Sequence, residues 1–543
     1  MQAKSDTIPN LPAWTSEDTY QLLLVLIVLA SVWGFWILTD HRFLVYPDAM
    51  EYAQTARNLS EGQGATTDTI WTLRTAYPLS VPPADLRRPL LWPLVISGFF
   101  RVFGATDWVV TMAGAVMGCI GVGLFYLLAR RFLGPRGTLF ACLVYIVQPQ
   151  ILVLNHSGLS EPLFTVFVLA IAHVWLEARR DWRFLAISVL VGLSQWVRLN
   201  GYLLILPVLG ALIWSRERGW IRRALWILGG FAVVTIPIAV RNYHYLGEFS
   251  IVGLAKYSVV GEISPFPDHG AERSIAKISI FSVLASHPWE VAAKYIRGLS
   301  RNLTALFGMV HPLLWGLWVI PVLRSEGNPW LSRLCRYGFV VLVLFWAGFS
   351  IGEYEGSRFY APLAPLIVLG GVVGLRRVLL RAGGAGSQPR ASSWLNNWKA
   401  AAVLVVLLLP GVFEIREKAL APPSGEFRLR LGHLVQRIVP EDAVVGSDIP
   451  WAVGWYGRRL AVWLPWEPSR MVELNERLSV DYVVLSPGVQ SGDWSNTVWP
   501  FVYMGANSLS GYQLIYPDQG RGPVLIFKRK SPKASGPSEN RGP

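Results

Sequence analysis

The sequence predicts an α-helical polytopic membrane protein with about eleven transmembrane helices and a small C-terminal α/β domain outside the cytoplasm. Its 543 residues are 52% hydrophobic and only 15% charged, whereas roughly 25% of residues are charged in soluble domains. Long apolar runs follow one another over most of the chain, and short strand-like runs come after them. This composition excludes a soluble globular protein and an intrinsically disordered chain.

The charge and the cysteines exclude two further classes of protein. The formal net charge is +14, but the arginines stand in short clusters between apolar runs, which is typical of membrane topology rather than of nucleic-acid binding. The three cysteines, Cys119, Cys142 and Cys335, lie in or beside apolar segments. Their spacing fits neither a zinc site nor a disulfide framework.

The predicted spans are runs long enough to cross roughly 30 Å of hydrocarbon at about 1.5 Å per residue. They occupy residues 20–39, 107–128, 137–154, 161–176, 184–198, 201–215, 223–240, 304–323, 335–351, 359–375 and 398–413. The first run is not interpreted as a cleaved signal peptide, because it is nearly as long as a span and no small-residue cleavage site precedes the polar segment after it.

Lysine and arginine in the connecting loops predict the orientation, because short positively charged loops stay in the cytoplasm. Basic clusters alternate with loops at 155–160, 199–200 and 352–358, which together with their flanks carry only Arg198 and Arg358. The alternation predicts a cytoplasmic N-terminus (1–19) and a transmembrane domain over 20–413. Its large external loops are 40–106 and 241–303.

The last part of the chain reads as a separate external domain, residues 414–530. It contains strand-like runs separated by helix-compatible stretches, namely 443–449, 459–465, 481–486, 512–517 and 524–529. These runs predict a small α/β domain. The polar tail 531–543 is predicted to be disordered.

The segment after the first span, YPDAMEYAQTARNLSEGQG (46–64), predicts a short helix at the membrane surface. Pro47 fits a first helical turn, and Asp48 and Glu51 fall where the positive end of the helix dipole favours carboxylates. Asp48, Glu51 and Tyr52 can project from one region of this helix. From spacing alone, the two acids are equally consistent with a helix start that has no further role.

Several segments resemble one family in the same order along the chain. They are 46–64, RRPLLWPLVISGFFRVFG (87–104), LSEPLF (159–164), RLNGYLLILP (198–207) and GSRFYAPLAPLIVL (356–369). The family is the C superfamily of lipid-dependent membrane glycosyltransferases, which includes the protein O-mannosyltransferases and the lipid A aminoarabinose transferase. SDIPWAVGWYGRRLAVWLP (447–465) resembles the external domain of some members.

The resemblance implies an inverting transferase that moves a sugar from a polyprenyl-phosphate donor to an acceptor at the external face of a bacterial-type cytoplasmic membrane. It assigns Asp48 as the general base and places the second external acidic position of the family, the other catalytic residue, at Glu161. Glu161 would orient the acceptor or, with His156, hold a divalent cation, the one cofactor considered. Next to Pro162, Glu161 is equally consistent with a plain helix start.

The departing phosphate needs cationic stabilisation in a site partly shielded from water. Arg88, Arg198 and Arg358 are the candidates on the external side, and snorkelling of Arg198 and Arg358 to lipid headgroups is the alternative. Glu51, Tyr52 and Tyr360 are the candidate substrate contacts.

The expected partners are the lipid-linked sugar, membrane lipid and an acceptor that is a lipid, a glycan or a protein; no nucleic acid is expected. A flippase or transporter of lipid-linked sugars is the rival interpretation. Transporters of polar cargo usually carry ionisable groups near the bilayer midplane. The predicted spans have almost none, and carboxylates collect at their external ends, which favours chemistry at the interface.

Overall fold

The chain is described by a computed structural model that divides it into two compact units. The described residues are 13–39, 43–176, 182–215, 219–267, 269–324, 329–352, 356–382, 398–420, 425–491, 494, 496–517 and 522–530. Unit 1 comprises 1–66, 84–263 and 280–426, and unit 2 comprises 67–83, 264–279 and 427–543. The predicted disordered tail, 531–543, lies outside the described residues.

Unit 1 is a bundle of α-helices, several of which begin at a proline, the residue preorganised for a first helical turn. The helices are α1 (Ser16–Thr39), α2 (Pro47–Ser60), α3 (Leu91–Phe103), α4 (Asp107–Arg130), α5 (Pro135–Ile146), α6 (Pro149–Leu154), α7 (Glu161–Leu176), α8 (Trp182–Val197), α9 (Ile205–Ser215), α10 (Trp220–Leu246), α11 (Ile280–Ser286), α12 (Pro288–Phe307), α13 (Pro312–Leu323), α14 (Pro329–Ile351), α15 (Ala364–Ala382) and α16 (Trp398–Leu420).

Membrane spans can be compared with the prediction helix by helix. Among the described residues, four helices are long and apolar enough to cross a membrane, or five if the bent pair α12 and α13 is one span, and five further apolar helices are shorter. The run 304–323, predicted as one span, is instead divided by a 98° bend between α12 and α13. Pro149 begins a new helix within 137–154. The count of eleven stays a prediction.

Helix α2 is almost entirely buried within unit 1, from Ala49 to Asn58. It packs on α3, while α4 packs on α7, α8 on α10 and α12 on α14. Gly158 lets the loop before α7 approach α2: its φ is +73°, and a Cβ there would lie 2.8 Å from Val110 and 3.2 Å from Ala49. The indole of Trp92 donates to the Gly158 carbonyl at 2.9 Å. These contacts fix the start of α2 against the start of α7.

Unit 2 contains a six-stranded sheet of order β1-β3-β2-β4-β6-β5. The strands are β1 (Thr69–Ile70), β2 (Val445–Ser447), β3 (Ala461–Trp463), β4 (Tyr482–Leu485), β5 (Tyr512–Tyr516) and β6 (Leu525–Arg529), and the helices are α17 (Glu426–Ile438), α18 (Pro450–Gly457), α19 (Met471–Arg477) and α20 (Trp499–Tyr503). Strands β1 to β4 are mutually parallel, with Val445 opposite both Ala461 and Tyr482, and β6 pairs antiparallel with β4 and β5.

Alternate strand residues of unit 2 pack to opposite faces of the sheet, as the period of a strand requires. Val462 and Val483 pack with Met471 of α19 and Trp499 of α20, and on the other face Val484 packs among residues of α17 and α18. Each of the five strand-like runs contains a strand. The boundary differs from 414–530, because α16 continues to Leu420 and the segments 67–83 and 264–279 join the sheet unit.

Candidate active site

Asp48 stands in the first turn of α2 and is held between two arginines. Tyr46 is extended before the helix, and Pro47 begins it, so the Asp48 carboxylate projects from a preorganised helix start. Its Oδ1 accepts from Arg88 Nη2 at 2.6 Å, and its Oδ2 accepts from Arg358 Nη2 at 3.0 Å. The side chain is 24% exposed, so the carboxylate is shielded but reachable.

Glu51 lies one helical turn further along α2 and shares Arg88 with Asp48. The Arg88 Nε donates to Glu51 Oε2, and the Glu51 side chain is 3% exposed. Asp85 fixes the loop that carries Arg88, because its Oδ1 accepts from the Arg88 backbone amide at 3.0 Å and its Oδ2 accepts from Thr55 of α2 at 2.9 Å. Sequence reasoning did not single out Asp85, although an aspartate in a loop favours such a turn by accepting from backbone amides that follow it.

The two carboxylates differ in acidity. Burial by itself raises the pKa of Asp48, but the guanidinium groups of Arg88 and Arg358 outweigh burial and hold the pKa well below its usual range. At Glu51 burial is the stronger influence, so its pKa lies above the usual value although Arg88 opposes the rise. Asp48 is therefore the more acidic member of the pair.

A second acid–arginine pair lies beside the first. Glu161 begins α7, Arg198 directly follows α8, and Arg198 Nη1 is 2.7 Å from Glu161 Oε1, with side-chain exposures of 11% and 3%. The Phe359 ring lies 5.5 Å from the Arg198 guanidinium and 4.7 Å from that of Arg358. Arg198 and Arg358 thus both face carboxylates of the protein, a geometry that differs from snorkelling toward headgroups.

The tyrosines predicted to contact substrate support the site from buried positions. The Tyr52 hydroxyl lies 3.3 Å from Ser160 Oγ and links α2 to the start of α7. The Arg88 guanidinium lies 5.8 Å from the Tyr52 ring. Tyr360 is fully buried, and its hydroxyl donates to Asn302 Oδ1 of α12 at 2.9 Å.

The side chains around Glu161 and His156 offer few ligands for the divalent cation considered there. His156 is buried, and its Nδ1 lies 2.7 Å from the Leu152 carbonyl oxygen. Within the described part of the chain, no three His, Cys, Asp or Glu side chains form a group suited to a metal ion. Glu161 already faces the cationic Arg198, which competes with a metal for its charge.

A small cleft beside Arg88 brings in residues that the sequence did not indicate. Arg87, Arg88 and Arg241 supply cationic groups, and Gln195 and Asn242 supply neutral polar ones. The Arg241 Nη2 donates to the Asp85 carbonyl. Arg241 was missed because it closes a predicted span, where a basic residue is an ordinary feature. The cleft therefore extends the cationic surface away from Asp48.

The sequence and the fold were compared with those of known proteins. The family model for dolichyl-phosphate-mannose-protein mannosyltransferase matches residues 87–243, and the sequence matches no curated protein. The structure of ArnT from Cupriavidus metallidurans bound to undecaprenyl phosphate superposes with a TM-score of 0.59 at 16% identity, covering 94% of this chain and 98% of that one.

An archaeal structure gives a similar match. The Archaeoglobus fulgidus oligosaccharyltransferase tethered to an acceptor peptide matches with a TM-score of 0.58 at 13% identity, over 94% of this chain and 74% of that one. The archaeal oligosaccharyltransferase AglB from Archaeoglobus fulgidus, in complex with an inhibitory peptide and a dolichol-phosphate, matches with a TM-score of 0.53 at 15% identity, over 97% of this chain and 76% of that one. The resemblance predicted from the sequence is confirmed, and the chain has the fold of the C-superfamily membrane glycosyltransferases.

Proposed function

We propose that the protein is an inverting glycosyltransferase that moves a sugar from a polyprenyl-phosphate donor to an acceptor at the extracytoplasmic face of a bacterial-type cytoplasmic membrane. The observation that carries the proposal is the Asp48 carboxylate held between Arg88 and Arg358 at the start of α2. Such a site combines a proton acceptor with cations for a phosphate leaving group. The undecaprenyl phosphate in the ArnT structure and the dolichol-phosphate in the AglB structure support a lipid phosphate as ligand.

The reaction needs one proton transfer and one displacement. The acceptor hydroxyl or amine gives its proton to Asp48 as its lone pair attacks the anomeric carbon of the donor. The bond from that carbon to the phosphate oxygen breaks, and its electron pair leaves with the polyprenyl phosphate. Because attack and departure take place on opposite faces of the carbon, a single displacement inverts its configuration. A positioned base typically contributes about 10²–10⁴ in rate.

The arginines connect donor binding to the strength of the base. Arg88 and Arg358 hold Asp48 ionised but weakly basic, because they stabilise its charged form. A donor phosphate carries its own negative charge and competes for the same guanidinium groups. As they turn toward the phosphate, the pKa of Asp48 rises and the carboxylate becomes a better proton acceptor. Arg198 beside Phe359 adds a third cation for the departing phosphate.

The remaining candidates have supporting roles in this scheme. Glu161 holds Arg198 in place for the departing phosphate and also orients the acceptor. Glu51 fixes Arg88, while Tyr52 and Tyr360 contact substrate or hold the loops that do. No step is assigned to a divalent cation, because Glu161 is already paired with Arg198. The acceptor is a lipid, a glycan or a protein.

The transport alternative is not favoured by the comparisons. The matching family model describes a mannosyltransferase, and the archaeal structures are those of an oligosaccharyltransferase. The paired carboxylates and arginines also suit a fixed reaction centre, since each charge already has a partner in a packed position.

The test is transfer by the purified full-length protein in lipid nanodiscs supplied with a panel of radiolabelled polyprenyl-phosphate sugars and with lipid, glycan and peptide acceptors. Asp48→Asn should lower turnover at least about 10²-fold, because the base is lost. Asp442→Asn is the matched control, since Asp442 is an exposed residue of unit 2. Wild-type turnover by Asp48→Asn would remove Asp48 as the base. If labelled donor crosses the bilayer without transfer to any acceptor, the transport alternative replaces the proposal.

A further inference from the structure

The parallel strands of unit 2 bring their carboxyl ends to one edge of the sheet, and tryptophans stand at three of those ends. Trp71 directly follows β1, Trp463 ends β3 with Trp466 three residues on, and Trp451 lies in the first turn of α18 after β2. In open α/β sheets, ligands bind at the carboxyl edge where the loops of neighbouring strands leave to opposite faces. Here the loop after β2 leads to α18 and the loop after β3 leads to α19, which pack on opposite faces of the sheet.

These four residues form the tryptophan cluster, Trp71, Trp451, Trp463 and Trp466. Trp463 is its centre: its ring lies 4.5 Å from that of Trp71 and 6.0 Å from that of Trp451, both nearly edge-on. Trp463 is 4% exposed, whereas the other three are only partly buried. Trp71 and Trp451 also pack against the core that contains Trp463, so each keeps only part of its indole exposed to solvent.

Arg273 is a buried residue that packs against the tryptophan cluster. It is fully buried, and its guanidinium lies 4.7 Å from the Trp466 ring and 5.5 Å from the Trp463 ring. Its Nε and Nη2 donate to the carbonyls of Leu464 and Pro465 at 3.2 and 3.3 Å. The loop after β3 is therefore held in place, and the rings are preorganised rather than free to collapse.

Polar groups border the rings. The His269 ring lies 6.0 Å from Trp463, and its Nδ1 lies 3.3 Å from Glu272 Oε2. His269 has a φ of +59°, a left-handed conformation that is uncommon for residues other than glycine. Backbone amides of Glu272 and Arg273 donate to the His269 carbonyl at 2.9 and 3.1 Å and hold it there. Strained residues of this kind cluster at ligand sites.

We propose that the tryptophan cluster is a binding site for a pyranose-containing glycan. The face of a pyranose ring presents weakly positive C–H bonds, which match the electron-rich face of an indole, while its hydroxyls need hydrogen-bond partners at the rim. Partly exposed, rigid indoles supply the first, and the His269 imidazole, whose side chain is 41% exposed, supplies the second. The inference goes beyond the proposed transferase activity and does not depend on it.

The test uses the full-length protein in nanodiscs without donor lipid. The probes are maltotetraose, cellotetraose and mannotetraose, detected by saturation-transfer difference NMR and by calorimetry. Binding of at least one tetrasaccharide is expected, with the strongest saturation at ring C–H protons. Trp451→Ala and Trp466→Ala should each weaken it about tenfold, as expected for the loss of one aromatic contact, and Trp451→Phe should recover part of the affinity.

The matched control is Trp289→Ala, because Trp289 of α12 is 85% exposed and lies in unit 1. It should leave binding unchanged, and thermal melts of each variant report folding. The proposal is overturned if no tetrasaccharide shows saturation transfer, if Trp451→Phe folds and binds no better than Trp451→Ala, or if Trp289→Ala weakens binding equally. Binding of an extended peptide in place of every glycan would also overturn it.

Discussion

The acidity of Asp48 is set by two arginines that lie 40 and 310 residues away in the chain. The sequence suggested these arginines by their place in external loops, but it could not show that both would converge on one carboxylate. Arg358 is the more selective probe, because it bonds Asp48 while Arg88 serves Asp48 and Glu51 together. Removal of Arg358 therefore changes one of the two acids in particular.

Arg358→Gln should raise the pKa of Asp48, because it removes a cation that stabilises the ionised carboxylate. The acid limb of kcat/KM for the donor, which reports groups of the free enzyme, should move to higher pH. Arg358→Lys should move it less, since it keeps the charge. Because the wild-type pKa lies well below the ordinary value of about 3.9, rates measured from about pH 3 to 8 should show little acid limb in wild type and a clearer one in Arg358→Gln. An acid limb at the same pH in Arg358→Gln as in wild type would show that the limb does not report Asp48.

Glu161 and Arg198 allow a test of whether their pair is only structural. Glu161→Gln leaves the nearly buried Arg198 without its carboxylate, so stability should fall by roughly 3–5 kcal/mol. The double variant Glu161→Gln with Arg198→Gln should recover most of that loss, as measured by thermal melts. Its transfer rate should stay low, because the cation beside Phe359 is gone. If the double variant regains wild-type turnover, Glu161 is a helix start without a catalytic role.

At the scale of elements, helix α12 helps to position Arg358 in the site. Its buried face is fixed by Lys294, whose ammonium donates to the carbonyls of Ser258 and Gly261 at 2.8 and 2.7 Å. The indole of Trp346 on α14 donates to the Leu299 carbonyl at 2.9 Å. Because Asn302 of the same helix accepts from Tyr360, two residues after Arg358, the position of α12 bears on that of Arg358.

Gly298 lets α12 pack closely on α14, since a Cβ there would lie 2.4 Å from the Ser350 carbonyl oxygen. Gly298→Ala should therefore destabilise the protein by about 1–3 kcal/mol and lower turnover, as the helix is pushed outward. Gly316→Ala on α13 is the matched control, because nothing lies within 4 Å of its Cβ. It should be neutral or stabilising by about 0.5–1 kcal/mol. Equal melting temperatures for the two variants would contradict this account.

For the whole molecule, the sequence predicted helices and strands that local composition determines. It missed contacts between residues that lie far apart in the chain. The apolar runs marked the helices, and alternation of side chains marked five of the six strands. Strand β1 has only two residues, Thr69 and Ile70, and pairs with Ala461 and Val462. No local pattern could indicate a pairing across so much chain. The 98° bend after Phe307 was missed for a related reason, because hydropathy reports length but not direction.

Asp448 lies at the carboxyl end of β2 and makes the stability of unit 2 depend on pH. It is fully buried, and Ser486 at the end of β4 donates to it from its amide at 3.0 Å and its hydroxyl at 2.5 Å. Burial raises the pKa of Asp448 to about 6, although the serine hydrogen bonds oppose the rise. The bonds hold two parallel strands together at the edge where the tryptophan cluster lies.

The raised pKa makes the stability of unit 2 depend on pH in a defined direction. Below the ordinary value of 3.8 the carboxyl is protonated whether folded or unfolded. Between there and about 6 the unfolded chain ionises first, so the free energy of unfolding falls as pH rises and then levels off. The total loss is about 3 kcal/mol, at roughly 1.4 kcal/mol per unit of pKa. Asp448→Asn cannot ionise, so its melting temperature relative to wild type should rise from pH 4 to pH 7. Comparing the two proteins at each pH cancels every other titrating group, and a difference that stays constant with pH would show that Asp448 is ionised in the folded domain.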